Sequence, residues 1–190
     1  MERHASCDDT IESVAFGADE IATAVDRIAA EIVRDADDEP VLLVGVLKGA
    51  LFFTADLARA IARRTPAAAA VNLDFIAITS YGNSHRSSGE VRLLKDTSEQ
   101  LEGRNVILVE DIVDNGLTLA YLQNLVGGRA PKSLRTAVLL DKPYHRRVPV
   151  VLDYVGLQCP DTFIVGYGLD YQERYRSLPY LATLRASLFE

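Results

Sequence analysis

The sequence predicts an α/β fold built on a mainly parallel sheet, and three features of its pattern say so. Continuous apolar runs at Val41 to Val46 and Val106 to Val109 read as strands covered on both faces, and Leu134 to Leu140 reads as another buried strand. Segments with apolar residues at helical spacing lie between them, and strands alternating with helices build parallel sheets. The 190 residues fit one domain with a sizeable core, with no internal repeat or second domain visible.

The elements follow in order. Ile21, Val25, Ile28 and Ile32 share one face of a helix from about Asp19 to Arg34. The acidic run 35–39 ends it, because like charges crowd the negative helix C-terminus, and it reads as a solvated turn. The Val41 to Val46 strand leads into Leu47-Lys48-Gly49-Ala50. Lys48 there is either a surface lysine at a helix start or an anion contact, with Gly49 allowing close backbone approach. The next helix turns Phe53, Leu57 and Ile61 inward and stops at Arg63-Arg64-Thr65-Pro66. Val71 to Ile78 reads as a strand with Leu73, Phe75 and Ala77 on one face. Thr79 to Gly89 is polar and cannot bury much, so it is either a mobile functional loop or a bare hairpin tip. Val91 to Leu94 returns as a strand.

The chain centres on Val106 to Leu119. Four apolar residues, then Glu110-Asp111, then the Asp114-Asn115-Gly116 turn, then Leu119, Leu122 and Leu125/Val126 at helical spacing read as strand, acidic pair, glycine turn and helix start. Taken singly, Thr118 serves equally as a helix cap, Gly116 as a turn residue and the acids as a solvated strand end. Together they can offer backbone N–H groups to a phosphate and carboxylates to a sugar or metal. Gly127-Gly128 stops the helix, Leu134 to Leu140 forms a strand ending at Asp141-Lys142-Pro143, and Val150 to Val155 forms another. The basic run Tyr144-His145-Arg146-Arg147 between them reads as an exposed loop.

Charge and cysteines narrow the function. Acidic residues outnumber basic ones 27 to 20, which disfavours a general nucleic-acid or anionic-membrane binder. Cys7 and Cys159 have no zinc spacing, and His4, His85 and His145 are scattered, so no histidine metal site is expected. No apolar leader follows Met1, and Val41 to Phe53 is too short to span a bilayer, so the expected location is cytoplasmic.

The central segment resembles the signature of the type I phosphoribosyltransferases, four hydrophobic residues, an acidic pair, then Asp-Ser/Thr-Gly-x-Thr, with Asn115 standing where the family has a hydroxyl. Pro160-Asp161-Thr162-Phe163-Ile164-Val165-Gly166-Tyr167-Gly168-Leu169-Asp170-Tyr171 resembles a second motif of the enzymes acting on hypoxanthine and guanine, and Ser177-Leu178-Pro179-Tyr180 follows as in bacterial members. The similarity runs from about Val41 to Tyr180. It implies a hood over the sheet's carboxyl edge, built from the N-terminal segment and about 159–190, on a core of about 18–158. It also implies a homodimer or homotetramer using phosphoribosyl pyrophosphate, a 6-oxopurine and Mg²⁺.

What the resemblance implies for single residues is specific. Glu110 and Asp111 would hold the ribose hydroxyls and assist the metal, and Asp170 would ligate it. Asp114 would act as general base at the purine N7. Asn115, Gly116, Leu117 and Thr118 would anchor the 5′-phosphate. Lys48, Gly49 and Arg176 would bind pyrophosphate, with the peptide before Lys48 often cis in the family. Lys142 would read the 6-oxo group, Phe163 would stack on the base and Ile164 would meet its edge. Ser80 and Tyr81 would begin a flexible lid. Two other functions stay open at this point: a xanthine-preferring enzyme, or a regulator of the same fold that senses the donor and binds nucleic acid.

Overall fold

The computed structural model describes residues 10–65, 71–80, 91–185 and 188. The strands are β1 (Ile11–Phe16), β2 (Val41–Leu47), β3 (Val71–Ser80), β4 (Val91–Lys95), β5 (Asn105–Val113), β6 (Ser133–Asp141), β7 (Tyr154–Gln158), β8 (Ile164–Val165) and β9 (Leu181–Leu184). The helices are α1 (Ala18–Ala36), α2 (Leu51–Ala62) and α3 (Leu117–Gly127). Six strands form one sheet in the order β4-β3-β2-β5-β6-β7. Every pairing in it is parallel except that of β3 with the edge strand β4. The protein is therefore α/β with a mostly parallel sheet.

Helices on both faces explain why the central strands are continuously apolar. Val41 and Leu43 of β2 and Ile107 and Val109 of β5 pack with Ile21, Val25, Ile28 and Phe53, Leu57, Ile61 of α1 and α2. The alternate residues Leu42, Val44, Val106 and Leu108 pack with Leu119, Leu122 and Val126 of α3. Each face thus buries every second side chain. A second, three-stranded sheet in the order β1-β9-β8 draws on both ends of the chain, with Ile11 opposite Leu184. Neither β1 nor β9 is signalled by the sequence pattern.

Five local expectations need correction. Leu73 is exposed, and Asp74 and Ile76 take the inward positions of β3. Alternation of hydrophobicity misleads there, because the inward Asp74 is compensated by backbone donors: its carboxylate accepts the N–H groups of Phe75, Ser98 and Glu99 at 2.6–2.8 Å. The last parallel strand starts at Tyr154 rather than Val150, since Asp153 turns its carboxylate to the N–H of Thr136 and Val151 is exposed. The strand of the central motif runs on through Glu110 and Asp111 to Val113, paired to β6 throughout. The fourth correction concerns Arg146 and belongs to the site. The acidic run is also less free than a solvated turn, since Asp35 meets Arg34 at 2.8 Å and the Tyr154 hydroxyl at 3.2 Å.

Among the described residues no helix is long and apolar enough to cross a membrane. Tyr81 and the side chain of Ser80, the start of the expected lid, lie outside the described residues, as do Cys7, His4 and His85.

Candidate active site

The carboxyl ends of β2, β5 and β6 lie side by side, where an open parallel sheet gathers its ligands. From β5 come Glu110, which is buried, and Asp111, which is half-buried. Burial raises the Glu110 pKa well above the usual carboxylate range, helped by the negative charge of Asp111 and the hydrogen bond between the two carboxyls. Burial likewise raises that of Asp111. Glu110 Oε2 and Asp114 Oδ1 are buried without a hydrogen-bond partner among the described residues. Buried carboxylate oxygens left unpaired are costly and mark places where a ligand supplies the partner.

Past β5 the chain turns at Asp114-Asn115-Gly116 into α3. Gly116 has φ of 83°, the left-handed region. A Cβ there would also meet the Val148 carbonyl oxygen at 2.9 Å, so glycine is required on two counts. Asn115 Oδ1 accepts the N–H of Leu117 at 2.9 Å, so the amide's oxygen end caps a donor that the turn would otherwise offer to an anion. Asp114, Asn115, Gly116 and Thr118 line a cavity of about 240 Å³ together with the acidic pair. Leu117 contributes its backbone N–H to this turn rather than its side chain.

A second cavity of about 270 Å³ adjoins it and shares Asp111 and Asp114. Lys142, Phe163, Ile164 and Asp170 line it as well, so residues nearly 60 positions apart in sequence converge here. The Lys142 ammonium donates to the Thr162 carbonyl at 3.1 Å and pairs with Asp161 at 3.3 Å, which fixes its direction. Phe163 is exposed and meets Tyr171 edge to face, with ring centroids 5.8 Å apart. Cys159 lies close by, and burial pushes its thiol pKa up, so it is held as a neutral thiol rather than a nucleophile.

Lys48 and Gly49 follow β2, and the Leu47–Lys48 peptide is cis. Gly49 is wedged: a Cβ would meet Asp111 Oδ2 at 1.8 Å, while a Cβ on Gly168 would meet the Gly49 carbonyl oxygen at 1.9 Å. Any side chain at either glycine would drive the loop from the acidic pair. Lys48 and Arg176 come together through Glu173, which Lys48 reaches at 2.7 Å and Arg176 at 3.1 Å. Arg176 also holds Asp170 at 2.7 Å and the Gly168 carbonyl at 2.7 Å.

Sequence reasoning missed Arg146. Its Nε donates to the Asp114 carbonyl at 2.8 Å, and one terminal nitrogen reaches the Val113 carbonyl at 3.2 Å and the Asp141 carboxylate at 2.5 Å. The N–H groups of Arg147 and Val148 then donate to the Asn115 carbonyl. The basic run is thus no free loop: it folds back and ties the ends of β5 and β6 together. Glu173 was also unmarked, being one more acid in a polar stretch. Among the described residues no three His, Cys, Asp or Glu side chains gather closely enough to hold a metal by themselves.

Known proteins match this arrangement over most of its length. The family model described as phosphoribosyl transferase domain matches residues 17–172. The hypoxanthine-guanine phosphoribosyltransferase of Bacillus subtilis is 45% identical over 180 residues, covering 95% of this chain and 97% of its own. That of Mycobacterium avium is 45% identical over 186 residues, covering 95% of this chain and 89% of its own. The crystal structure of a hypoxanthine phosphoribosyltransferase from Staphylococcus aureus superposes with a TM-score of 0.89 at 34% identity, covering 100% of both chains. The fold, the sheet-edge site and these relatives agree, and the chain belongs to the phosphoribosyltransferase family.

Proposed function

We infer that this protein is a hypoxanthine-guanine phosphoribosyltransferase of purine salvage. It joins hypoxanthine or guanine to phosphoribosyl pyrophosphate, giving the nucleoside monophosphate and pyrophosphate. One observation carries the reading furthest: a single cavity brings Asp114, the fixed Lys142 and the exposed Phe163 together with Asp111 of the acidic pair. The close relatives of the same length carry this activity in their names.

In the proposed reaction, N9 of the base attacks C1 of the ribose while the C1–O bond to pyrophosphate breaks. The bonding pair leaves on pyrophosphate, and the purine loses its N7 proton. Asp114 takes that proton, and its unpartnered buried Oδ1 is the atom free to do so. Lys142 selects a 6-oxo group because an ammonium only donates, and a 6-amino group would set donor against donor. Phe163 stacks on the ring and the Ile164 backbone meets its edge. Glu110 and Asp111 hold the ribose hydroxyls, and the 115–118 turn anchors the 5′-phosphate and so places C1. Lys48 and Arg176 neutralise charge building on the leaving pyrophosphate. The residues also fit Mg²⁺. The donors are hard carboxylate oxygens, one of them orphaned in the interior, and magnesium is usually held by one or two carboxylates with substrate phosphates completing its shell. Asp170 would ligate it with Glu110 and Asp111 assisting, and when bound it would offset the charge of the polyphosphate.

The test is a spectrophotometric assay with donor, magnesium and each of hypoxanthine, guanine, xanthine and adenine. Turnover of the first two, with adenine refused, is expected. A preference for xanthine would move the base assignment, and donor binding without turnover of any purine would leave a donor-sensing protein instead of an enzyme.

A further inference from the structure

The two cations assigned to pyrophosphate already share an anion. Lys48 leaves the end of β2 and donates to Glu173 Oε2 at 2.7 Å, while Arg176, between β8 and β9, donates to Glu173 Oε1 at 3.1 Å. One carboxylate therefore spans the gap between two positive groups from distant parts of the chain. Its placement is specified by the backbone. Tyr171 and Arg174 exchange N–H to carbonyl bonds at 3.2 and 3.0 Å, leaving Gln172 and Glu173 alone at the tip with φ of 53° and 62°. Such a turn favours Asn, Asp or Gly, and longer side chains hold a left-handed conformation only against some strain. The Glu173 N–H is pinned in turn by Asp170 Oδ2 at 2.8 Å.

The bridge leaves the subsite incomplete. Arg176 Nε is buried with no hydrogen-bond partner among the described residues, so the guanidinium keeps one donor for a further oxygen. Glu173 itself is 65% exposed at its side chain, and can swing into water at little cost.

We propose that Glu173 sets the affinity of the pyrophosphate subsite: its carboxylate occupies the anion position between Lys48 and Arg176 and leaves it when a diphosphate arrives. This rests on the phosphoribosyl-transfer reading of the site. Carboxylate and phosphate oxygens compete for the same N–H donors, and the diphosphate, with more charge and more oxygens, displaces the single carboxylate. The cost of that displacement is subtracted equally from the binding of the donor and of the released pyrophosphate. A looser grip on pyrophosphate favours its departure, the step that limits turnover in many enzymes.

Inorganic pyrophosphate with magnesium, titrated calorimetrically into the full chain, is the probe. Exposed ion pairs are worth up to about fivefold each. Glu173→Gln should therefore tighten pyrophosphate about three- to tenfold and lower the donor KM in parallel. The gain should shrink as salt rises and screens the competing charges. Glu173→Asp keeps the charge on a shorter stem that no longer spans both cations, and should fall between. Pyrophosphate binding that is unchanged or weaker in Glu173→Gln, with an unaltered melting temperature, overturns the proposal, because Glu173 would then only aim the cations. Purine turnover by the unsubstituted enzyme is measured alongside. Its absence removes the phosphoribosyl-transfer reading and the proposal with it, whereas turnover with unmoved pyrophosphate affinity removes the proposal alone.

Discussion

Arg146→Ala is the substitution with the most to reveal about how the site is held. The guanidinium makes three bonds that join the end of β5 to the end of β6, two to backbone carbonyls and one to Asp141. About a fifth of the Arg146 side chain and less of Asp141 is exposed, so the pair is mostly desolvated. Removing one partner of a buried pair costs about 3–5 kcal/mol. The residual exposure puts this case at the low end, about 3 kcal/mol. For a chain of this size that lowers Tm by about 6–12 °C. Arg146→Lys keeps a charge beside Asp141 but cannot serve both carbonyls, so it should lose about half as much. Function should suffer beyond stability, since Asp114 is the residue whose carbonyl is released. Small displacements of a reacting group can cost up to about a hundredfold, so kcat/KM should fall ten- to a hundredfold at temperatures where the variant is folded. Melting curves and steady-state kinetics on both variants measure this. An Arg146→Ala protein that melts within about 1 °C of the original and keeps its kcat/KM would show the bracket to be inert.

Two other outcomes are expected. Asn115→Thr should lower the KM for phosphoribosyl pyrophosphate about three- to tenfold, because the amide oxygen now caps the Leu117 N–H while a hydroxyl can donate to the phosphate; an unchanged KM at saturating purine would show that the amide nitrogen already fills that role. Although burial opposes its charge, Asp74 has its pKa held below the usual value by the N–H groups of Glu99, Phe75 and Ser98 and by nearby Lys95. A depressed carboxylate contributes stability above its unfolded pKa, about 4, and loses it as pH falls through the folded value. Asp74→Asn should thus melt about 4–12 °C lower at neutral pH, from a loss of about 2–3 kcal/mol. The deficit should shrink in acid, and equal melting at pH 7 would contradict the assignment.

What the sequence made legible follows from where the physics is local. The β2 run and the apolar stretches 106–109 of β5 and 137–140 of β6 stand out because both faces of the sheet are covered there, so successive positions are apolar. The strand–turn–helix at 106–119 is legible because strand, acids, glycine and helix are contiguous. Partners distant in the chain are not. β1 finds β9 more than 160 residues away, and a four-residue strand carries no pattern of its own. Asp74 looks like an outward residue until the N–H groups of Ser98 and Glu99 appear beside it. Arg146 and Glu173 are charges in polar stretches, and only the folded backbone shows that each joins two segments.

The proposed reaction places the chemistry at the carboxyl end of β5, with Asp114 as the group that takes the proton. Turnover of hypoxanthine with phosphoribosyl pyrophosphate by the unsubstituted protein and by Asp114→Asn, side by side, tests it most directly. Asparagine keeps the shape and removes the basic oxygen, and general-base catalysis contributes about 10²–10⁴-fold. A loss of that size in kcat, with the fold intact, is expected. A loss under about fivefold in a properly folded variant, on the same scale, would place the chemistry on another group.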